Sequence, residues 1–129
     1  MDKSSIDYTE GRVFSFDDES AIRPDFLQTI DYSGPQQGIS YQMNEFAAVC
    51  PFSGLPDTGI VWVDYIPQNK LVELKSRKYY FISFRNVGIY QEDVTSRIFI
   101  DLNPLLEPEE LLIKTSYSTS GGIDTTCIT

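Results

Sequence analysis

The residues with the clearest capacity for chemistry are Cys50 and Asp57, which lie near the middle of the chain. Cys50 ends an apolar run and is followed at once by Pro51, which lacks an N–H group and biases the preceding residue away from helix. A cysteine thiolate is a nucleophile, and a nearby carboxyl group can pass a proton. The pair therefore predicts a thiol nucleophile at a strand end with a proton donor beside it.

The chain contains no histidine, which excludes Ser-His-Asp and Cys-His catalysis and argues against a zinc site. Proton transfer must then use Asp, Glu, Lys, Tyr, Cys or water. The two cysteines, Cys50 and Cys127, cannot form a disulfide framework, and neither a signal-peptide pattern nor a long apolar stretch is present. We expect a cytoplasmic protein without a bound metal.

The length and charge of the chain limit the classes of function. A chain of 129 residues predicts one domain, and a formal net charge of −9 argues against a nucleic-acid partner, which needs clustered cations. A local basic pocket is still compatible with that charge. The densest basic cluster consists of Lys75, Arg77, Lys78 and Arg85.

Residues 1–37 are acidic and show no sustained hydrophobic period. We interpret them as an N-terminal arm preceding a domain at residues 38–129. The arm is either a partly disordered tail, with a short turn of helix near Asp25–Thr29, or a segment that wraps a neighbouring subunit. In the second case three aromatic side chains would make the contact: Phe14, Phe16 and Phe26.

The next segments predict strands. Apolar and polar residues alternate from Ile39 to Asn44, which is typical of a half-buried strand, and this strand is predicted to run on through Phe46–Val49 to Cys50. Phe52–Thr58 contains Gly54 and Pro56 and predicts a loop that folds Asp57 back towards the strand end. Gly59–Ile66 is rich in β-branched and aromatic residues and predicts an antiparallel neighbouring strand.

Two helices and two further strands are expected after that. Lys70–Asn86 has apolar residues at helical spacing, and a second helix is predicted from Glu92 to about Leu106, with Pro104 ending it early or kinking it. The remaining elements are a strand at Leu111–Thr119, a turn at Gly121–Gly122 and a strand at Ile123–Thr129. The order predicts an α+β fold with a four-stranded antiparallel sheet and both helices on one face. Open edges of such a sheet commonly pair with other subunits, so we expect an oligomer.

Four stretches carry a family resemblance: VCPFSGLPDTGIVWVDYIP at 49–67, VELKSRKYYFISFRN at 72–86, QED at 91–93 and SGGIDTT at 120–126. With them the chain resembles the single-domain 7-cyano-7-deazaguanine reductases, the nitrile reductases of the QueF family in queuosine biosynthesis. The resemblance implies a tunnelling fold, with units assembled into a homo-oligomeric ring and active sites at subunit interfaces. It also implies a small 7-deazapurine substrate and NADPH as cofactor.

The resemblance assigns roles to particular residues. Cys50 matches the nucleophile that adds to the nitrile carbon and forms a covalent thioimide, and Asp57 matches the residue that passes a proton. A thiol nucleophile divides a difficult reduction into easier steps. The substrate-binding positions would be Glu92, which anchors the purine-like ring, and Glu73, Leu74, Ser76, Tyr90 and Gln91. The cofactor-binding positions would be Lys75 and Lys78, which their spacing places on one helix face, and Arg77.

Two positions depart from the family pattern. Gln91 stands where a histidine is usual, and a glutamine cannot shuttle a proton near neutral pH. Ser120 stands where an arginine is usual, and Arg77 is a candidate to replace that positive charge. These departures keep open two alternatives: a QueF-like amidinotransferase that resolves the same thioimide with ammonia on tRNA, and a non-catalytic purine- or pterin-binding ring protein. The retained Lys75 and Lys78 oppose the first alternative, and Cys50 with Asp57 opposes the second.

Overall fold

Two antiparallel sheets and two helices make up the described part of the chain. The computed structural model describes residues 15–118 and 122–129. The strands are β1 (Thr29–Asp31), β2 (Ile39–Val49), β3 (Pro56–Ile66), β4 (Lys70–Val72), β5 (Glu110–Tyr117) and β6 (Thr126–Ile128); the helices are α1 (Leu74–Ile82) and α2 (Gln91–Leu106). Short 3-10 turns lie at Glu19–Ala21 and Pro24–Phe26. The predicted α+β class with antiparallel pairing is confirmed.

The larger sheet has the strand order β2-β3-β5-β6 and is covered on one face by both helices. Val63 in β3 pairs with Tyr41 in β2 and with Ile113 in β5, and Val63 and Ile113 are fully buried. The ring of Phe46 lies 5.4 Å from that of Phe84, just after α1. The buried stripe of α2 is Val94, Thr95, Ile98, Leu102 and Leu106. Burial of these apolar side chains is the main term that holds the helices on the sheet.

A small second sheet of β1 and β4 corrects the prediction of one helix over Lys70–Asn86. Lys70–Val72 is extended and pairs with Thr29–Asp31, with Ile30 opposite Leu71. The helix begins only after Glu73, whose carboxylate accepts the free N–H groups of the first turn. Val72 is buried and β-branched, which suits a strand better than a helix terminus.

The described part of the N-terminal segment packs on the domain. Ile22 and Leu27 are buried in the core, so a disordered tail is wrong for this part. The short turn of helix predicted near Asp25–Thr29 is present as a 3-10 turn at Pro24–Phe26, slightly earlier than predicted, and Thr29 begins β1. Phe16 packs against Gly88 of its own chain. Phe14 lies outside the described residues, and the division into 1–37 and 38–129 stays a prediction.

Helix α2 runs past Pro104 to Leu106, so the expected early end is wrong. Proline removes the hydrogen bond to the carbonyl of Ile100 four residues earlier, but Ile100 is 60% exposed and water can satisfy that group. Leu102 and Leu106 are buried and hold the last turns on the sheet. The helix ends at Glu107, which takes the left-handed conformation at a φ of 46°.

The strands near the predicted site also differ from expectation at their ends. β3 begins at Pro56, so Asp57 lies in a strand and not in a loop. Strand β5 ends at Tyr117, and β6 is shorter than the predicted Ile123–Thr129. Thr119, Ser120 and Gly121 lie outside the described residues.

Gly59 permits the close pairing of β3 and β5. A Cβ atom at this position would collide with the backbone carbonyl of Ser116 and press on Tyr117, neither of which can move without disrupting the ladder. We expect Gly59→Ala to lower the free energy of unfolding by about 1–3 kcal/mol. Gly38→Ala is the matched control, since a Cβ there meets nothing within 4 Å. Urea denaturation of both variants tests this, and equal midpoints would contradict it.

Candidate active site

Cys50 lies in a tight turn that joins β2 to β3. Its N–H group donates to the carbonyl of Leu55 at 2.8 Å, and its carbonyl accepts from the N–H group of Gly54 at 2.7 Å. Gly54 has a φ of 74°, a conformation that favours glycine. These bonds hold the thiol at the strand end, where the sequence places it, and leave it half-buried.

The turn stabilises the thiolate form of Cys50. The pKa of Cys50 lies below its ordinary value, first because the Ser53 hydroxyl donates a hydrogen bond to the sulfur, and then because the N–H groups of Ser53 and Phe52 also point at it. Ser53 is oriented by the N–H group of Leu55, which donates to Ser53 Oγ at 3.2 Å. Partial burial and the nearby Asp57 carboxylate act in the opposite direction. Sequence reasoning missed Ser53; a serine three residues after the nucleophile, inside a turn, is the signal that could have found it.

The pKa of Asp57 is shifted in the opposite direction to that of Cys50. Asp57 lies in β3 and is half-buried. It is opposite Ala48 of β2, the strand that leads to Cys50. This burial raises the pKa of Asp57, since the charged form loses solvation. Relative to their ordinary values, the thiol releases its proton more readily and the carboxyl group holds its proton more strongly. These are the directions that a nucleophile and an acid require.

Ser53 offers a direct test of the thiolate stabilisation. In Ser53→Ala the thiolate loses its strongest hydrogen bond, so the pKa of Cys50 should rise. The rate of alkylation by iodoacetamide, which follows the thiolate fraction, should then reach half its plateau at a higher pH than in the parent. Both proteins should carry Cys127→Ala so that only Cys50 reacts, and Ser40→Ala, an exposed serine of β2, is the control. An unchanged midpoint would show that Ser53 does not set the pKa.

Two backbone hydrogen bonds at the end of β2 bring the start of α2 close to the Cys50 turn. Val49, the last residue of β2, accepts at its carbonyl from Ile89 N–H at 3.0 Å and donates to the carbonyl of Val87 at 2.9 Å. Tyr90 follows directly as the N-cap of α2, with half of its side chain exposed, and Glu92 lies exposed in the first turn. The structure therefore brings Tyr90, Gln91 and Glu92 close to Cys50, as a shared site requires.

Tyr117 lies between these two groups. It is at the end of β5, opposite Gly59, and points to the face on which the Thr115 hydroxyl bonds that of Thr95 in α2 at 2.7 Å. Burial raises the pKa of Tyr117, and the charges of Cys127, Asp57 and Glu92 act in the same direction. The side chain of Thr115 lowers the pKa of Tyr117 slightly against this trend. The Tyr117 hydroxyl nevertheless makes no hydrogen bond of normal geometry. Sequence reasoning did not single out Tyr117.

Glu73 and Ser76 have structural partners of their own. The Glu73 carboxylate accepts from the N–H groups of Lys75 at 2.7 Å and Ser76 at 2.9 Å, which lowers the pKa of Glu73. The buried Ser76 hydroxyl donates to the carbonyl of Glu73 and accepts from the N–H group of Gln28. These contacts explain why α1 begins here. The roles of Glu73 and Ser76 in binding substrate stay predictions.

The cationic residues of α1 divide between two cavities. Arg77, Lys78 and Leu74 line a cavity of about 440 Å³ against residues 41–45 of β2. Lys75 lines another cavity, of about 540 Å³, together with Glu73, Ser76 and Tyr79. Lys75 and Lys78 are three residues apart and so neighbour each other on the surface of α1, but they line different cavities. Their joint role in binding the cofactor stays a prediction.

Two further properties concern the described residues only. Within 15–118 and 122–129, no group of three or more His, Cys, Asp or Glu side chains is arranged to hold a metal ion. In the same part of the chain, no helix has the length and apolar character needed to span a membrane.

A thiol of lowered pKa lies near a carboxyl group of raised pKa on an α+β domain, and comparison with known proteins identifies the family of the chain. Residues 56–129 match the family described as QueF-like protein. The chain is 54% identical over 118 residues to the NADPH-dependent 7-cyano-7-deazaguanine reductase of Thermotoga petrophila, covering 91% of this chain and 86% of that protein. The reductase of the same name from Thermoanaerobacter pseudethanolicus is 44% identical over 120 residues, covering 92% and 90%. The chain belongs to the QueF-like family, which confirms the resemblance.

A solved structure supports the fold. The crystal structure of the archaeosine synthase QueF-Like in the apo form superposes with a TM-score of 0.61, covering 76% of this chain and 94% of that one. Sequence identity in this comparison is 20%, so the likeness concerns the fold alone.

Proposed function

We propose that this protein is an NADPH-dependent reductase that converts the nitrile of 7-cyano-7-deazaguanine to the aminomethyl group. The observation that carries the proposal is the Cys50 turn, in which a thiol of lowered pKa lies near Asp57, a carboxyl group of raised pKa. Relatives that are 44–54% identical over nine-tenths of the chain carry the name of this reductase. The site needs no histidine for its first step, in agreement with a chain that has none.

The first step uses both of these groups. The Cys50 thiolate forms a bond to the nitrile carbon, one C–N π bond breaks, and its electron pair moves to the nitrogen. Asp57 gives the nitrogen a proton and recovers one from solvent, where the thiol released its own. The product is a neutral thioimide attached to Cys50, in which the carbon is a better hydride acceptor than in the nitrile.

Substrate binding is assigned to the start of α2. The carboxylate of Glu92 can accept two N–H bonds from a purine-like ring in fork geometry, and the exposed ring of Tyr90 offers a stacking surface. Gln91 can hydrogen-bond but not transfer a proton near neutral pH, so protons for the later steps come from Asp57 or water. We assign Glu73, Leu74 and Ser76 to the opposite side of the proposed substrate-binding site.

The cofactor is assigned to the basic residues of α1. Arg77 and Lys78 line one cavity and Lys75 another, and none of the three makes an ion pair within the described residues. Free cations beside cavities of this size suit the phosphate groups of a dinucleotide. Two molecules of NADPH, bound one after the other, would each supply one hydride, and two hydrides with two protons would take the thioimide to the primary amine and the free thiol.

We extend the proposal to the assembly: a tunnelling-fold homo-oligomer, in the cytoplasm, with sites shared between subunits. The end strands β2 and β6 leave open edges for pairing. Two apolar side chains beside the nucleophile support a shared site, because Phe52 is 83% exposed and Leu55 is 52% exposed in the single chain. A neighbouring subunit that covers them would also close the site to water.

A second candidate is an amidinotransferase that resolves the thioimide with ammonia. The departure at Gln91 favours it. Lys75, Lys78 and the net charge of −9 oppose it, because a tRNA substrate requires a basic surface. The third possibility, a ring protein that only binds a purine, gives no reason for the thiolate-stabilising turn.

One experiment separates these candidates. The protein is mixed with 7-cyano-7-deazaguanine and its intact mass is measured; NADPH is then added and its oxidation is followed by absorbance. A reductase forms the adduct and then consumes about two NADPH per nitrile. An adduct without NADPH consumption indicates the transferase, and the absence of any adduct leaves the binder.

A further inference from the structure

The N-terminal segment reaches the end of the domain that carries the proposed substrate-binding residues. Gly88 donates its N–H group to the carbonyl of Asp17 at 2.8 Å, and Asp17 donates its own N–H group to the carbonyl of Asn86 at 2.7 Å. The Asp17 carboxylate also accepts from the side-chain amide of Asn86 at 3.2 Å. We call residues 16–18 the N-terminal strap. These bonds join the strap to the segment that leads into α2.

The segment that leads into α2 is paired on both of its sides. Val87 and Ile89 bond through their backbone groups to Val49 at the end of β2, whereas the residues that alternate with them bond to the strap. This alternation is that of an extended chain with a neighbour on each edge. Tyr90 and Glu92, which we assign to substrate binding, follow directly along the chain. The placement of these two residues therefore depends on the strap as well as on β2.

Phe16 is the apolar contact that holds the strap on this segment. Its ring covers Gly88 so closely that a Cβ atom at Gly88 would lie 2.1 Å from a ring carbon, and the three nearest atoms all belong to Phe16. The backbone of Gly88 does not take a left-handed φ that would itself favour glycine. The missing side chain of Gly88 therefore makes room for an aromatic ring that is distant in the sequence.

We propose that Phe16 is a positioning residue of the substrate site: through the strap it fixes the segment before α2, and with it Tyr90 and Glu92, before the purine-like base binds. This inference rests on the proposed function. If the start of α2 had to be ordered during binding, the free energy of ordering would be subtracted from the affinity for the base. The nucleophile turn has its own backbone bonds between Cys50 and Leu55. The strap therefore acts on binding of the base and not on the thiol.

Calorimetric titration of the full chain with 7-cyano-7-deazaguanine tests this in a Cys50→Ala background, in which binding is not followed by reaction. Phe16→Ala should weaken the affinity about 10-fold, the equivalent of about one backbone hydrogen bond, and should leave the number of sites per chain unchanged. A merely structural role would lower the fraction of folded protein, and so the number of sites, without changing the affinity. Ile30→Ala is the matched control, since Ile30 is an exposed apolar residue of the same N-terminal segment, in β1.

Gly88→Ala gives an independent test of the same contact. The added methyl group would displace the Phe16 ring, so this variant should weaken the affinity for the base about as much as Phe16→Ala does. In the double variant the methyl group meets no ring, and the affinity should be no weaker than in Phe16→Ala alone. Additive losses would overturn the inference, because they would show that the two residues act separately.

The outcomes separate this inference from the proposed function. Unchanged affinity in Phe16→Ala, or a loss of sites without a loss of affinity, would overturn the inference even if the parent forms the nitrile adduct and oxidises NADPH. A loss of affinity shared by Phe16→Ala and Gly88→Ala, and absent in Ile30→Ala, would support it even if the parent forms no adduct, in which case the proposed reductase is wrong. A protein with Cys50→Ala alone that does not bind the base would overturn both.

Discussion

Replacement of Cys50 by alanine should abolish the covalent adduct with 7-cyano-7-deazaguanine and lower the rate of nitrile reduction by at least roughly 1,000-fold. Without the thiol no thioimide forms, and the hydride would have to attack the unactivated nitrile. Intact mass spectrometry measures the adduct, and NADPH absorbance measures the reaction. The variant should fold, because Cys50 is half-buried in a turn held by backbone hydrogen bonds that alanine retains.

Cys127→Ala is the control for this prediction. Cys127 is also free and half-buried, but it lies in β6 opposite Thr115 and not in the turn that lowers the pKa of Cys50. It should form the adduct at the rate of the parent. An adduct that persists in Cys50→Ala and disappears in Cys127→Ala would show that the nucleophile has been assigned to the wrong cysteine.

The position of Cys50 at the end of a strand was predictable because strong local signals agree. Alternating side chains predicted β2, and Pro51 marked its end, since a residue without an N–H group cannot continue the ladder. The location of Asp57 was not predicted correctly. Gly54 and Pro56 both read as loop residues, but Pro56 is the first residue of β3, a position in which proline is tolerated.

The features missed from the sequence depend on contacts between distant segments. The pairing of β1 with β4 joins strands of three residues that are about forty positions apart, too short to leave a hydrophobic period. The bonds from Val49 to Val87 and Ile89, which bring α2 to the nucleophile, have no local signal either. The division of Lys75 and Lys78 between two cavities depends on what packs against α1. Sequence motifs therefore predict candidate residues, whereas which of these residues meet depends on contacts that leave no local signal.

Asp57→Asn should separate the acid role of this residue from its electrostatic effect. Asparagine keeps the shape but cannot donate a carboxyl proton to the nitrile nitrogen, so adduct formation should slow by about 10²–10⁴-fold, the usual contribution of a positioned acid. The same change removes a negative charge that raises the pKa of Cys50. Alkylation of Cys50 by iodoacetamide, which needs only the thiolate, should therefore be unchanged or faster.

The test is whether Asp57→Asn slows adduct formation with the nitrile while leaving alkylation of Cys50 unchanged or faster. Stopped-flow or quenched mass measurements give the rate with the nitrile, and a Cys127→Ala background restricts alkylation to Cys50. In the parent, adduct formation requires the Cys50 thiolate together with protonated Asp57, so its rate should rise and then fall with pH. Asp57→Asn should remove the fall and keep the rise, while Asp31→Asn, an exposed aspartate of β1, should change neither. If both reactions slow equally in Asp57→Asn, the residue positions the turn and the proton comes from another group.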